Sequence, residues 1–564
     1  MRDAFHDSSA RWPPPLCHPG TRQDYIQNIA GWGIGASRQR ILWIYGPAGV
    51  GKSAVAQSCA NFFTEENNLG AAVFLSRLNG WDDPDRFFTS ISYQIAVKTD
   101  PYGDFLDDRI QRDPTLVTKS IMVQFQELLV KPVLELRAKG VDVGEWVVII
   151  DGLDECEGKE TQCDIIEMIS TSAREGALPF RWVFLSRPET HIIASFTTNS
   201  IRQISLHLEL PVTRAIDNEI RLYLADELQR VQERSRLPDT WPPAHEVAIL
   251  VNLSAGLWIY PATLIRFIRD PDSSPVDQLN AVLALAKDSK GKTSSGHPLT
   301  ELDIFYTLIM RRVPSKILTA IQRILLFVKY SSEVSHWSFL RGLLGEIDLP
   351  IIIANILGLT ELQFQNACSS LHSVLKFKSS SHGITFYHAS FMDFLRDATR
   401  SKEFCVYSCL NPLRRDLVER LNDVHARSTA DHLNMDVTWP WPHPESQRSL
   451  YRCSILVLSW LCQWQGPLDP PACTALLGFQ FHHIPRLDPS SNLPFFDLVD
   501  FRHHIPKEFR SQIIRRCYNP IVYASRLRSL KWTTVWILGR DRNKVVLCWN
   551  KYQGWRVVQY PYLV

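Results

Sequence analysis

Residues 46–53 read Gly46-Pro47-Ala48-Gly49-Val50-Gly51-Lys52-Ser53, a full match to the pattern G-x-x-x-x-G-K-[ST]. An apolar run, Ile41-Leu42-Trp43-Ile44-Tyr45, precedes it, and a helical pattern from Ser53 to Phe63 follows. Strand, loop and helix in that order are the context the motif needs. The glycines let the backbone turn and bring its N–H groups close to phosphate oxygens. The helix start near Lys52 adds a positive end. Lys52 supplies a point charge for β- and γ-phosphates, and Ser53 a hydroxyl for Mg²⁺. An ordinary glycine turn before a helix is the bland alternative. The intact pattern in its context outweighs it.

A second element complements the loop. Trp146-Val147-Val148-Ile149-Ile150-Asp151 is an apolar run that ends in acid, followed by Gly152-Leu153-Asp154-Glu155. A continuous apolar run of this length suits a strand covered on both faces. In open parallel sheets, ligands bind at the C-terminal ends of the strands. Asp151 is therefore the candidate Mg²⁺-side carboxylate of a Walker B element, and Asp154 and Glu155 are candidates to polarise an attacking water. Acids also favour the first turn of a helix for dipole reasons alone. A third run, Phe180 to Ser186, ends at Arg187-Pro188-Glu189. Arg187 at that edge is a candidate γ-phosphate contact; a surface pair with Glu189 is the alternative.

These elements resemble the NACHT branch of the STAND P-loop NTPases, the regulatory module of NOD-like receptors and of many fungal proteins. The resemblance rests on Gly46–Ser53, on Ile150-Asp151-Gly152-Leu153-Asp154-Glu155 and on Leu185-Ser186-Arg187-Pro188. It implies a helical segment and a winged helix after the NTPase domain. Ala255 to Thr263 resembles the helical segment whose proline, here Pro261, borders the nucleotide base. Leu302 to Tyr306 resembles the lead into the winged helix. Tyr387-His388-Ala389-Ser390-Phe391-Met392-Asp393-Phe394-Leu395 resembles its last helix. By position, His388 is the winged-helix histidine that touches the diphosphate in the resting state. The alternative is a core histidine before a helix capped by the Ser390-x-x-Asp393 pattern. Arg2 to Ser8 and Cys17-His18-Pro19-Gly20-Thr21-Arg22 look like the linker ahead of fungal NACHT domains, the second stretch lying near the nucleotide. Family members carry an effector domain before this linker, so the resemblance implies a receptor core without one.

Composition sets wider bounds. A chain of 564 residues with 45% apolar content has room for three or four packed domains. Net charge is +2, which declares no polyanion partner for the chain as a whole. The first residues contain no apolar signal region. Apolar runs such as Ile351–Leu359 are too short to span a bilayer. The twelve cysteines include no CxxC pair and read as reduced, mostly buried thiols of a cytoplasmic protein.

The expected fold class is α/β: a P-loop parallel sheet, then helical and winged-helix domains and a C-terminal α+β region. The expected boundaries are a linker over 1–39, the NTPase domain over 40–210, a helical domain and linker over 211–297 and a winged helix over 298–400. Residues 401–564 form a region of unknown type. Alternating strand and helix patterns support the parallel sheet. Strands are expected at Ile41–Tyr45, Ala71–Ser76, Trp146–Asp151 and Trp182–Ser186. Helices are expected at Phe87–Val97, Lys119–Leu136 and Cys163–Arg174. Residues 271–297, rich in Asp, Ser, Gly and Lys, read as an exposed connection. Leu371–Lys378 and Gly383–Tyr387 read as the hairpin wing. The last 164 residues show no repeat period. From 501 the chain is basic, with thirteen Lys and Arg against two acids. We read this tail, Arg515 and Arg516 included, as a solvated face and not a nucleic-acid site. Thr533–Val558 alternates as a small β-meander.

The sequence therefore reads as a nucleotide switch. ATP or GTP with Mg²⁺ would drive conformation and self-association, slow hydrolysis would reset it, and ADP or GDP would hold the resting state. The protein partners are not named by the sequence. A nucleotide-stabilised scaffold that hydrolyses nothing is the competing reading; a metabolic P-loop kinase lacks a lid or acceptor-site motif. Lys52→Ala removes the charge at the β- and γ-phosphates, and no neighbour in sequence replaces it. Titration calorimetry should find tight binding of Mg-nucleotide lost in this variant; parental affinity would refute the loop assignment.

Overall fold

The computed structural model describes residues 1–35, 37–289, 298–333, 349–378, 383–429, 432–440, 446–463, 467–480, 506–509 and 512, with strand segments 532–538, 545–550 and 554–559. Arg515, Arg516 and most of the basic tail lie outside the described residues, as do 290–297 and the turn 379–382. The chain divides into two compact units. One comprises Met1–Pro314, Val328–Val334 and Cys368–Lys402; the other comprises Ser315–Phe327, Ser335–Ala367 and Glu403–Val564.

The first unit is built on a parallel sheet. Its strands are β1 (Ile41–Tyr45), β2 (Leu69–Phe74), β3 (Val147–Asp151), β4 (Arg181–Ser186) and β5 (Ser205–Glu209). Their order is β2-β3-β4-β1-β5, and every pairing is parallel. All of β2, β3 and β4 is buried, as expected for runs of Val, Ile, Leu and Phe covered on both faces. The helices α1 (Gln23–Ile34), α2 (Lys52–Glu65), α3 (Phe87–Lys98) and α4 (Asp100–Arg112), with Lys159–Glu175, supply the cover. The expected helix at Lys119–Leu136 runs from Ile121 to Ala138, with a π-helical stretch at Phe125–Val130. Trp43 on β1 stacks on Phe196 at 4.5 Å, and its indole N–H donates to the Ser186 hydroxyl at 2.9 Å. That buried bond ties β1 to β4 near the ends that carry the site.

Two elements depart from the sequence reading. β5 is an edge strand with three exposed or half-exposed positions after Leu206, so it lacks the all-apolar signature of its neighbours. The stretch read as an exposed connection contains the helix Pro275–Ser289, with Leu279 and Val282 buried. Leu279, Val282, Leu283 and Ala286 recur at helical spacing, and that periodicity overrides the polar composition around it. Helices Asp217–Ser235, Ala244–Ser254, Ile259–Ile268 and Pro298–Arg312 complete the helical part of this unit.

The hairpin of strands β6 (Leu375–Lys378) and β7 (Gly383–Phe386) is antiparallel and precedes the helix Ala389–Arg396. Residues 371–374 are turn and not strand. Residues 298–400 fall partly in each of the two units.

The second unit is helical, with Leu349–Leu357, Leu410–Arg427, Ser446–Gln463 and Pro470–Gly478. Asn355 is fully buried; its amide donates to the Trp439 carbonyl at 2.9 Å and accepts the Thr438 N–H at 2.7 Å. The segments β8 (Trp532–Leu538), β9 (Val545–Asn550) and β10 (Gly554–Gln559) form an antiparallel meander where the alternation predicts one. Among the described residues eight cysteines are buried, and no helix is long and apolar enough to cross a membrane.

Phe184 is fully buried on β4, edge-on to Phe196 at 5.5 Å. Phe184→Ala should destabilise the sheet by about 3–5 kcal/mol, through lost transfer energy and the cavity left behind. Urea unfolding followed by tryptophan fluorescence would check this.

Candidate functional site

The strand order brings the C-terminal ends of β1, β4 and β3 side by side. From β1 the chain enters the 46–53 loop. A Cβ on Gly46 would lie 2.3 Å from the Leu210 carbonyl oxygen, and Gly49 has φ +85° with Ile259 Cγ2 only 2.6 Å from a Cβ there. No residue with a side chain fits either position, so the loop keeps its backbone exposed to a ligand. The Ile259 N–H donates to the Gly49 carbonyl at 3.1 Å, which docks the helix Ile259–Ile268 on the loop. Gly51 caps α2, whose first residues are Lys52 and Ser53.

Lys52 Nζ folds back to donate to the Gly46 and Pro47 carbonyls at 2.7 and 2.9 Å. Burial pushes its pKa down to about 8, against the pull of Asp154 and Asp151. Asp151 closes β3, fully enclosed. Burial pushes it up to about 6, opposed by a hydrogen bond from the Ser53 hydroxyl and by Lys52 and Arg11. Ser53 and Asp151 are therefore in contact, as a Mg²⁺ site that takes one or two protein oxygens and completes its shell with phosphate and water requires.

Asp154 and Glu155 follow on a single 3₁₀ turn but have different partners. Asp154 accepts the backbone N–H of Arg187 at 2.9 Å and forms an ion pair with its Nε at 3.4 Å. Glu155 accepts the Arg77 backbone N–H at 3.1 Å. Burial, then Asp154, pushes Glu155 up to about 7, with Arg187 opposing. A carboxyl poised there can take a proton near neutral pH, whereas Asp154 is committed to Arg187. Arg187 does not pair with Glu189 in this arrangement. Its Nη1 reaches Asp393 at 3.3 Å on the helix Ala389–Arg396.

His388 caps that helix in place of the Ser390-x-x-Asp393 arrangement. Its Nδ1 accepts the Ser390 N–H at 3.1 Å and lies 2.7 Å from the Ser390 hydroxyl, which also meets the Tyr306 hydroxyl at 2.8 Å. Ser390 lies one residue inside the helix, too late to cap it, and Asp393 is engaged by Arg187. An Nδ1 that accepts an amide proton leaves the ring hydrogen on Nε2. Burial and the nearby Arg187, Lys52 and Arg266 hold the pKa down at about 3, so His388 is a neutral donor.

Lys52, Ser53, Asp151, Asp154, Glu155, Arg187 and His388 all line one cavity of about 440 Å³, together with Ala48, Gly49 and Gly51 of the loop. Pro261 does not. It is buried in the first turn of its helix, and Trp258, Ile259 and Ala262 line the cavity instead.

The N-terminal segment contributes more than its pattern announced. The Arg22 guanidinium, buried, donates to the Val50 carbonyl at 3.0 Å. Arg11 stacks over Phe74 at 3.5 Å, donates to Gln57 and lines the cavity near Asp151. Arg22 had a signal in the Cys17–Arg22 stretch. Arg11 had none, because Gln57 and Phe74, which hold it at the cavity, lie more than forty residues away.

Residues 20–187 match the family model described as Nephrocystin 3, N-terminal. The match covers less than half of the chain. No curated protein matches. Among solved structures, the chain is similar to one titled Drosophila ORC bound to poly(dA/dT) DNA and Cdc6, with TM-score 0.23, 10% identity, 96% of this chain covered and 91% of that chain. A second, titled Drosophila ORC bound to GC-rich DNA and Cdc6, gives TM-score 0.22 at the same identity and coverage. Overlaps at this level do not define a shared architecture. The α/β fold with a five-stranded parallel sheet stands on the strand order itself and is consistent with a P-loop-like fold.

Behind the acidic turn lies one more perturbed carboxyl. Burial pushes Asp82 up to about 7, against Arg77 4.0 Å away. A raised acid holds a proton in the folded state that the unfolded chain releases, so stability falls as pH rises from about 4 to about 7. Asp82→Asn should therefore raise the thermal midpoint at pH 8, by about 1–3 kcal/mol of stability at roughly 1.4 kcal/mol per pKa unit, and leave it unchanged near pH 4. Melting curves across that range would test the sign.

Proposed function

We propose that this chain is a nucleotide-operated switch of the NACHT type within the STAND NTPases, binding and slowly hydrolysing ATP or GTP. The observation that carries the reading is the convergence of a phosphate-type loop, a Ser53–Asp151 pair, a poised Glu155 and the cation Arg187 on one cavity that also contains His388. The match to the Nephrocystin 3 N-terminal model over residues 20–187 spans the loop, the acidic turn and Arg187, and supports the same reading.

In this reading the loop amides and the start of α2 hold the phosphates, and Lys52 swings from the Gly46 and Pro47 carbonyls to the β- and γ-oxygens. Bound Mg²⁺, held by Ser53 and Asp151, neutralises phosphate charge. Glu155 accepts the proton of the attacking water. Asp154 orients Arg187, which faces the γ-phosphate. Arg11 and Arg22 add fixed positive charge along the wall. His388, with its proton on Nε2, donates to a phosphate of the bound diphosphate, and so ties the helix Ala389–Arg396 to the resting state. The hairpin β6–β7 with this helix reads as the wing and last helix of a winged helix. The resemblance adds self-association when the triphosphate releases that contact.

The assignment of Glu155 separates a switch that turns over from a scaffold that only binds. Glu155→Gln should retain Mg-nucleotide affinity and slow hydrolysis by about 10²–10⁴-fold, the usual contribution of a positioned base. Phosphate release by purified protein measures it; a parental rate would return the acid to a structural role and favour the scaffold.

A further inference from the structure

The helix Ala389–Arg396 carries a second polar contact to the site besides its His388 cap, and it is of opposite character. Asp393 Oδ2 lies 3.3 Å from Arg187 Nη1, while Arg187 Nε lies 3.4 Å from Asp154. One guanidinium is thus shared by two carboxylates, one from the end of the acidic turn and one from the helix.

The two are not equivalent. Asp154 is nearly enclosed, its side chain 7% exposed, and is also held by the Arg187 backbone N–H. Asp393 is 37% exposed, and among the described residues its side-chain hydrogen bond is with Arg187 alone. It is the exchangeable partner. Arg187 itself lines the cavity beside Lys52 and Glu155, so its free face is turned to the place where a terminal phosphate would lie.

We propose that Asp393 stands in for the γ-phosphate on Arg187 and thereby sets the preference of the site for nucleoside diphosphates over triphosphates. This rests on the nucleotide reading above. With Asp393 docked, the cation is already satisfied, and a γ-phosphate would bring further negative charge against two carboxylates. With a triphosphate bound, Arg187 turns to the γ-oxygens and Asp393 is released. The helix then loses its ion pair, while its contacts with Tyr306 remain: the Ser390 hydrogen bond and the rings of Phe391 and Phe394 at 5.1 and 5.6 Å. A ligand shifts a two-state element only by its differential affinity for the two states, and this exchange is such a difference.

The test is to titrate ADP, ATP, GDP and GTP, each with Mg²⁺, into the full chain and its variants, and to compare the diphosphate-to-triphosphate affinity ratio. The wild type should favour the diphosphate. Asp393→Asn should move the ratio about tenfold toward the triphosphate, within the usual range of coupling between sites. Asp393→Glu, which keeps the charge, should retain the wild-type ratio. In an Arg187→Gln background, Asp393→Asn should change the ratio no further. Should Asp393→Asn fail to fold, Asp393→Ser makes the same neutral replacement at this half-exposed position. An unmoved ratio in a variant that still binds nucleotide overturns the inference and leaves the nucleotide reading standing, as does an equal shift in the Arg187→Gln background. A wild-type chain that binds none of the four nucleotides overturns both.

Discussion

The parallel pairing of β3 with β4 and of β4 with β1 is the constraint on which the site depends. Its register sets Asp151 beside Leu185 and Tyr45 beside Ser186. Residues 34 to 141 positions apart in the chain thereby end on one edge, each followed at once by a candidate functional turn. The loop begins at Gly46, the acidic turn at Gly152 and the Arg187 segment directly after Ser186. A slip of one residue in any strand would turn its side chains to the opposite face. The fully buried Val, Ile and Phe positions of these strands exclude that slip, since both faces are packed against helices. Sheet packing and site geometry are one requirement in this unit.

That dependence explains what the sequence made legible. The 46–53 loop is local: its glycines, lysine and serine lie together in the chain, so pattern alone located it. Asp151 and Arg187 were legible one step further on, because each follows a strand-like run, closing it at Asp151 and after Ser186 at Arg187, and the strand ends of a parallel sheet converge. The distinction between Asp154 and Glu155 was not legible. It arises from which backbone amide each meets, Arg187 for one and Arg77 for the other. Arg11 was invisible for the same reason, as its neighbours Gln57 and Phe74 come from other elements. The edge strand β5 escaped because an edge need not be apolar, and the helix Pro275–Ser289 because composition masked its periodicity. Pro261 was placed at the cavity by resemblance. A residue inside the first turn of a helix takes its direction from the helix, and the lining falls to Trp258 and Ile259 just before it.

Burial sets the electrostatics at most of the charged groups in the cavity. Burial raises the carboxyls of Asp151 and Glu155 and lowers Lys52, although opposite charges stand beside each of them. Desolvation outweighs pairing at these three groups and at Arg11, whereas at Arg187 burial is outweighed by Asp393, Asp154 and Glu155; the first four are charges that the protein alone does not satisfy. A phosphate group would bring negative charge to Lys52 and Arg11, and a divalent cation positive charge to Asp151. Together they would restore to each group the ionised form that burial opposes. Complementarity of this kind is a physical argument for an anionic, metal-associated ligand that is independent of the motif itself.

The same surroundings fix the behaviour of the helix Ala389–Arg396. A histidine among Arg187, Lys52 and Arg266 cannot hold a proton cheaply, and the amide of Ser390 already occupies its Nδ1. His388 is thus a neutral donor through Nε2, able to meet a phosphate oxygen without adding charge. Five residues later Asp393 is an anion on the same helix, paired with Arg187. In the proposed switch one helix therefore presents a contact that a phosphate would strengthen and a contact that a further phosphate would compete for. Because both are borne by one short rigid element, they cannot respond independently. In that switch the chemistry at the end of the phosphate chain would be converted into the position of a helix, with no requirement that the sheet beneath it move.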